Sequence, residues 1–234
     1  VSLPQRKSRF FECFSRIKST EGGIVSPEQY IDIARRTGLI AAIDNMLLFR
    51  CVQLLRKTQR HDYTTSFFCN ISPHTIADRD FFPEFILYLE SCPDLAPCLV
   101  LDLSQRDLSE LPADVTADLR LLAKAGYRFS VDQVTDLRFN LRGLSGLGVQ
   151  FVKIHGSRLL QSVIDDAALG GIAALKRTMD DAGIDLIAEK IETEKMLVEL
   201  LEHNIDFGQG YLFGEPRISK DPPPAFVEDM PPSA

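Results

Sequence analysis

Residues 98–132, CLVLDLSQRDLSELPADVTADLRLLAKAGYRFSVD, decide the fold. Cys98–Ser104 (CLVLDLS) is a short apolar run interrupted by one carboxylate, the pattern of a strand buried on both faces. Ala113–Ala125 then turns to helical spacing, and Gly126 stands where a left-handed C-cap ends a helix. Tyr127–Asp132 (YRFSVD) is strand-like again. Strand, helix and strand without a hairpin turn make a parallel pair covered by a helix.

The same unit recurs in both directions. Further strands are expected at Arg9–Ile17, Ser66–Ile71, Val149–Ile154, Ile184–Glu189 and Asp206–Phe213, for seven in all. Helices are expected at Ile43–Thr58, Phe81–Ser91, Val163–Ala182 and Thr193–His203. Another opens at Ser26-Pro27-Glu28-Gln29, with an N-cap Ser, a Pro at N1 and a Gln at N3, and stops at Gly38. Seven strands, with an eighth starting upstream of Val1, suit a TIM-like (β/α)8 barrel better than an open doubly wound sheet. No strand is followed by GxGxxG or a P-loop, which argues against dinucleotide and nucleoside-triphosphate sites.

Composition agrees with a single barrel. The 234 residues are 45% apolar and 25% charged, ordinary for a globular chain, and the net charge of −7 offers no basic field for duplex nucleic acid. The five cysteines include no CxxC pair and sit among apolar neighbours, as free thiols do in a reducing, cytoplasmic compartment. No run approaches the roughly 18 apolar residues of a membrane span. Because residue 1 is Val, the chain reads as a fragment of a longer protein, one in which a membrane anchor is an open alternative. Residues 1–218 are expected to form the barrel, and 219–234, with five prolines, a tail.

In such barrels the site lies at the C-terminal ends of the strands. Nearly every expected strand carries a late polar residue: Glu12 with Arg16, Asn70, Asp102, Asp132, Lys153, Glu189 and Gln209. Strand phase puts Phe10, Glu12, Phe14 and Arg16 on one face, as it does Phe68 with Asn70 and Ile187 with Glu189. Any one of these is as easily a satisfied core polar group. Four carboxylates converging inside one barrel are different, because they destabilise it unless a cation or ligand compensates them. Carboxylates with an amide oxygen suit a hard divalent ion such as Mg²⁺, Mn²⁺ or Ca²⁺.

These residues resemble those of the EAL domain, the cyclic di-GMP phosphodiesterase fold. Glu12-Cys13-Phe14-Ser15-Arg16 is similar to its Glu-Ala-Leu-x-Arg signature, and Asn70-Ile71-Ser72 to its Asn-Leu-Ser. Leu101–Gln105 (LDLSQ) resembles Glu-[Leu/Ile]-Thr-Glu, Val131–Val134 (VDQV) resembles Asp-Asp-Phe-Gly, and Phe151–His155 (FVKIH) resembles Leu-Lys-Ile-Asp. Ala188–Thr193 (AEKIET) is similar to Ala-Glu-Gly-Val-Glu-Thr, and Gln209–Phe213 with Pro216 to Gln-Gly-Tyr-x-Phe-x-x-Pro. The motifs run in order over residues 10–216. The resemblance implies a TIM-like barrel with one antiparallel strand, whose first strand is only partly in this chain.

It also implies a site. Glu12, Asn70, Asp102 and Asp132 would be metal ligands, for Mg²⁺ or Ca²⁺. Glu12, Arg16, Asn70, Asp102, Asp132, Lys153, Glu189, Gln209 and Pro216 would contact cyclic di-GMP, with the Arg16 guanidinium on a phosphate. The departures from the family pattern imply decay. Asp102 replaces a glutamate, Gln133 the second aspartate of Asp-Asp-Phe-Gly, and His155 the aspartate after Ile154. Gln105 replaces the glutamate that holds the catalytic loop, Lys190 replaces a glycine, and the loop in 132–141 (DQVTDLRFNL) contains no glycine. Losing one of two metal sites removes a Lewis acid and an activated water, whereas nucleotide binding needs mainly charge and hydrogen bonds. Lys153 and Glu189 would then be vestiges of catalysis.

The resemblance thus implies a degenerate EAL domain, a cyclic di-GMP receptor acting through protein partners. In its degree of decay it resembles the TipF-type regulators of flagellar assembly and motility. A weakly active phosphodiesterase and a nucleotide-free interaction scaffold are the alternatives. Residues Leu137–Leu147 would contribute to a homodimer.

Overall fold

Alternation along the strands sorts the apolar side chains into two sets, and that sorting makes the barrel. The computed structural model describes residues 1–3, 5–7, 10–59, 65–165 and 171–217. In chain order these form β1 (Phe10–Cys13), β2 (Ile17–Lys18), β3 (Ile24–Val25), α1 (Pro27–Arg36), α2 (Ile40–Gln59) and β4 (Ser66–Asn70). Then come α3 (Pro73–Ile76), α4 (Phe82–Glu90), β5 (Leu99–Ser104), α5 (Gln105–Ser109), α6 (Ala113–Lys124), β6 (Arg128–Asp132) and α7 (Leu141–Gly146). The remainder are β7 (Val149–His155), α8 (Gly156–Asp165), α9 (Ile172–Asp181), β8 (Asp185–Glu189), α10 (Glu194–Glu202) and β9 (Phe207–Gly208).

Seven of the strands make one curled parallel sheet in the order β1-β4-β5-β6-β7-β8-β9. Residues Val1–Leu3 run antiparallel beside β9. Gly208 N donates to Val1 O at 2.9 Å and Leu3 N to Asp206 O at 2.6 Å, and Ser2 bridges Phe207. This stretch is the trailing part of the expected first strand. Outward-facing Phe67, Cys69, Leu99, Leu101, Leu103, Phe129, Val131, Val152, Ile154 and Leu186 join the helices in the main core. Inward-facing Phe68, Val100, Phe151 and Ile187 form a separate cluster, with Phe10 and Phe207 packed on it. Phe10 lies 5.5, 5.3 and 5.2 Å from the rings of Phe68, Phe151 and Phe207, mostly edge to face, so aromatic contacts close the interior between β1 and β9.

Several expected elements differ. The strand Arg9–Ile17 ends at Cys13, while Ile17–Lys18 pairs instead with β3 in a small antiparallel sheet; Arg9 lies outside the described residues. The strand Asp206–Phe213 keeps only Phe207–Gly208 and passes into a 3-10 turn at Tyr211–Phe213. Its Gly210 sits against Ile191, where a Cβ would collide with the Ile191 carbonyl oxygen. The helix Val163–Ala182 is two helices, α8 and α9, with residues 166–170 between them outside the described residues, as are 218–234 and with them the expected tail. Helices α3, α5 and α7 were not anticipated, being too short to show a period. The N-cap at Ser26 formed as expected, with Ser26 N donating to Gln29 Oε1 at 2.9 Å.

Candidate functional site

Above the phenyl layer, the interior position of each strand turns polar. Glu12 comes from β1, Asn70 from β4, Asp102 from β5, Asp132 from β6, Lys153 from β7 and Glu189 from β8, while Gln209 follows β9. Parallel registers align these ends: Asn70 sits opposite Asp102, Ser104 opposite Asp132 and His155 opposite Glu189. Sequence reasoning placed all seven at strand ends, and the structure brings all seven to one end of the barrel.

Lys153 is the hub. It is wholly buried, pairs with Asp102 Oδ2, donates to Glu12 Oε2 at 3.2 Å, and lies 4.5 Å from the centroid of the Phe68 ring. Glu12 also accepts from Asn70 Nδ2 at 3.1 Å and from Gln209 Nε2 at 2.7 Å. Burial opposes the charge of Glu12, but Lys153, Gln209 and Asn70 together hold its carboxyl below the ordinary range. Burial, reinforced by the carboxylates of Asp132 and Glu12, pushes Asp102 up to about 6 despite Lys153. Burial and its hydrogen-bonded neighbour Asp132 push Glu189 up to about 8. Burial also disfavours the Lys153 ammonium, yet Asp102, Glu12, Asp132 and Glu189 outweigh it and raise its pKa.

Four carboxylates thus share one ammonium, and the donor set suits one divalent cation. Glu12, Asp102 and Asp132 each place an oxygen within 4.8 Å of the others. Asp102 Oδ1 is buried and has no hydrogen-bond partner, as expected of an oxygen reserved for a ligand. Asn70 turns its amide nitrogen to Glu12. Hard oxygen donors of this kind fit Mg²⁺ or Ca²⁺. Among the described residues no comparable set is found for a second cation. Gln133 is exposed, and its backbone N–H bonds Asp132 Oδ1, while His155 Nδ1 pairs with Ser157 Oγ at 2.8 Å.

Two expected residues stand apart from this cluster. Arg16 was placed in phase with Glu12 on one long strand. Because β1 ends at Cys13, it lies instead on the exposed segment beyond, donating to Ser15 O at 3.0 Å with its guanidinium 5.7 Å from the Phe14 ring. Pro216 is exposed past the 3-10 turn.

The glycine-free loop is held by the residue read as its loss. Gln105 Oε1 accepts from Thr135 N at 2.8 Å and Asp136 N at 2.9 Å, and Gln105 Nε2 donates to Asp136 O at 2.6 Å. Arg158 bonds Thr135 O as well, a contact that sequence reasoning missed. Of residues 132–141 only Gln133 takes a positive φ, at 51°, so in this glycine-free loop backbone strain falls on one position. Ser130 was also missed: it is fully buried one interior step below Asp132, with no partner for its Oγ. Its signal was the period of two that put Asp132 inside.

A curled α/β barrel with an acidic, lysine-centred site at the C-terminal ends of its strands places the chain among TIM-like barrel proteins. The EAL domain family model matches residues 1–216, and the chain belongs to that family. It is 22% identical over 211 residues to the cyclic di-GMP phosphodiesterase PdeF of Escherichia coli (strain K12), covering 89% of this chain and 28% of that protein. Among solved structures it superposes on the EAL enzyme Bd1971, determined with cAMP and cyclic di-GMP bound, with a TM-score of 0.75 at 24% identity. That match covers 92% of this chain and 60% of the other. The Xanthomonas citri FimX EAL domain in complex with cyclic di-GMP gives a TM-score of 0.73 at 17% identity over 88% of this chain and 81% of that one. Among the described residues no helix is long and apolar enough to cross a membrane.

Proposed function

We propose that this chain binds cyclic di-GMP at the strand ends around Lys153 and hydrolyses it weakly or not at all, serving as a receptor within a larger signalling protein. The observation that carries the reading is the asymmetry of the site. One cation position has three convergent carboxylates and an unpartnered buried oxygen, whereas Gln133 and His155 stand where the family pattern has aspartates. A divalent ion bound by Glu12, Asn70, Asp102 and Asp132 would supply charge for a ligand phosphate. The chain's own residues do the rest. Lys153 keeps Glu12 and Asp102 ionised and apart, Gln209 and Asn70 fix the Glu12 rotamer, and Gln105 with Arg158 holds the 133–140 loop at the rim. Burial beside Asp132 pushes Glu189 up to about 8, so it keeps its proton more readily than an ordinary carboxyl.

Support also comes from the relatives, which include a cyclic di-GMP phosphodiesterase and EAL structures solved with cyclic di-GMP bound. On this reading Arg16, carried on the segment beyond β1, swings to a ligand phosphate when cyclic di-GMP binds. Protein partners of the flagellar type, a homodimer through the 137–147 segment, and a single barrel over 1–218 belong to the same proposal. Calorimetry with cyclic di-GMP in Mg²⁺ and again in EDTA, with chromatography of the nucleotide afterwards, tests it. Binding without linear product is the expected result. Rapid turnover would make the chain a phosphodiesterase, and no heat in either buffer would leave an interaction scaffold.

A further inference from the structure

The proposed site is short of positive charge for its proposed ligand. Glu12, Asp102 and Asp132 surround a single buried ammonium, so one divalent ion among them would only balance their charge, and a cyclic dinucleotide would add two phosphodiester anions. Two exposed cations follow interior strand ends at this mouth: Arg16 beyond β1 and Lys190 directly after β8.

Lys190 has an unusual backbone. Its φ is +52°, in the left-handed region that a side-chain-bearing residue adopts at a cost and a glycine does not. Its neighbours impose that conformation. Glu189 is the last residue of β8, held opposite His155. Ile191 is fully buried, its N–H donates to Gln209 O at 3.0 Å, and its carbonyl accepts from Leu212 N at 3.1 Å. Gly210 packs directly on the Ile191 backbone. With both flanks anchored, the residue between them must turn left-handed whatever its side chain. Among the described residues, none of the ion pairs or side-chain hydrogen bonds found involves Lys190. Lys190 is thus a strained, exposed cation next in sequence to a site carboxylate, with no ion pair or side-chain hydrogen bond found among the described residues.

We propose that Lys190 is a fixed cation of the binding site that takes a phosphodiester oxygen of the bound cyclic dinucleotide, supplying charge that a second metal position does not. This rests on the cyclic di-GMP reading above.

The test is calorimetry of the 234-residue chain with cyclic di-GMP, in whichever of the Mg²⁺ and EDTA buffers the unaltered chain binds, alongside thermal melts. Lys190→Gly is expected to bind roughly tenfold more weakly while its Tm rises by about 1–3 °C as the strain is released. Lys190→Arg, which keeps both strain and charge, should stay within about threefold of the unaltered chain, since a guanidinium also serves phosphate. Asn204→Gly relieves a left-handed residue (φ +55°) just past α10 and controls for strain alone. It should gain Tm with unchanged affinity. Affinity in Lys190→Gly within about twofold of the unaltered chain would overturn the assignment, as would an equal loss in Lys190→Arg. If the unaltered chain gives no binding, the cyclic di-GMP reading fails and this inference with it.

Discussion

Two layers inside the same barrel obey opposite rules. The lower, Phe10, Phe68, Phe151 and Phe207 with Val100 and Ile187, is held by ring contacts of 5.2–5.5 Å and asks nothing of pH or ligand. The upper, Glu12, Asn70, Asp102, Asp132, Lys153, Glu189 and Gln209, is a charge network with more carboxylates than cations. Phe68 joins them, packing on Phe10 and Phe151 below and facing the Lys153 ammonium above. Burial of apolar rings stabilises the fold outright, whereas buried charges stabilise it only while they stay compensated. The lower layer supports the barrel; the upper one keeps a deficit that a ligand or cation can fill.

That contrast breaks most directly in stability measurements. Phe151→Ala should cost about 3–5 kcal/mol in urea unfolding by emptying the floor, and equally at pH 6 and pH 8, since no titrating group is removed. Lys153→Met, which leaves Glu12 and Asp102 without their shared ammonium, should cost about 3 kcal/mol near pH 8 and distinctly less near pH 5, where the unpaired carboxyls accept protons. Equal losses at both pH values would mean that the upper layer behaves as mere packing.

A smaller effect comes from the unaltered chain itself. Glu189 rises from an ordinary value of 4.5 to about 8 on folding, chiefly through burial. The native state therefore binds more protons than the unfolded one between those values. In EDTA the stability contributed below the ordinary value should be lost as pH climbs towards 8, seen as a falling Tm. Added Mg²⁺ or Ca²⁺ should raise Tm more at pH 8 than at pH 6, because cation binding favours ionised ligands. A flat profile in EDTA would remove the deficit from the upper layer. Smallest is Gln105→Ala, expected to cost about 1 kcal/mol and to speed hydrogen exchange at the Thr135 and Asp136 amides while leaving the strand amides protected. Unchanged exchange there would show that the loop stands without its amide clamp.

Most of the barrel was legible because buried parallel strands write themselves as short apolar runs with punctuated ends. Gly126 and Gly183, at φ of +92° and +71°, closed helices where expected. The failures share a cause. Arg9–Ile17 and Asp206–Phe213 are apolar, alternating runs that local pattern alone extends. Where pairing stops depends on the neighbours: β1 pairs with β4 only as far as Cys13, and the close approach of Gly210 to Ile191 turns the chain after β9. Arg16 consequently falls on the exposed segment beyond β1 and not on the strand itself. Gln105 was read as a lost function, although a side-chain amide can both accept and donate and so grips the loop at three points.

The sequence by itself determined the class of fold, the family and the seven polar residues that gather at the strand ends, because periodicity and residue type are local properties. Only the tertiary structure decided how those residues share charge. It showed that Lys153 binds Glu12 and Asp102 together, that Asp102 Oδ1 is left without a partner, and that Lys190 is held left-handed at the rim. Electrostatic balance and backbone strain depend on what distant segments bring within a few ångströms, and no local pattern carries that distance.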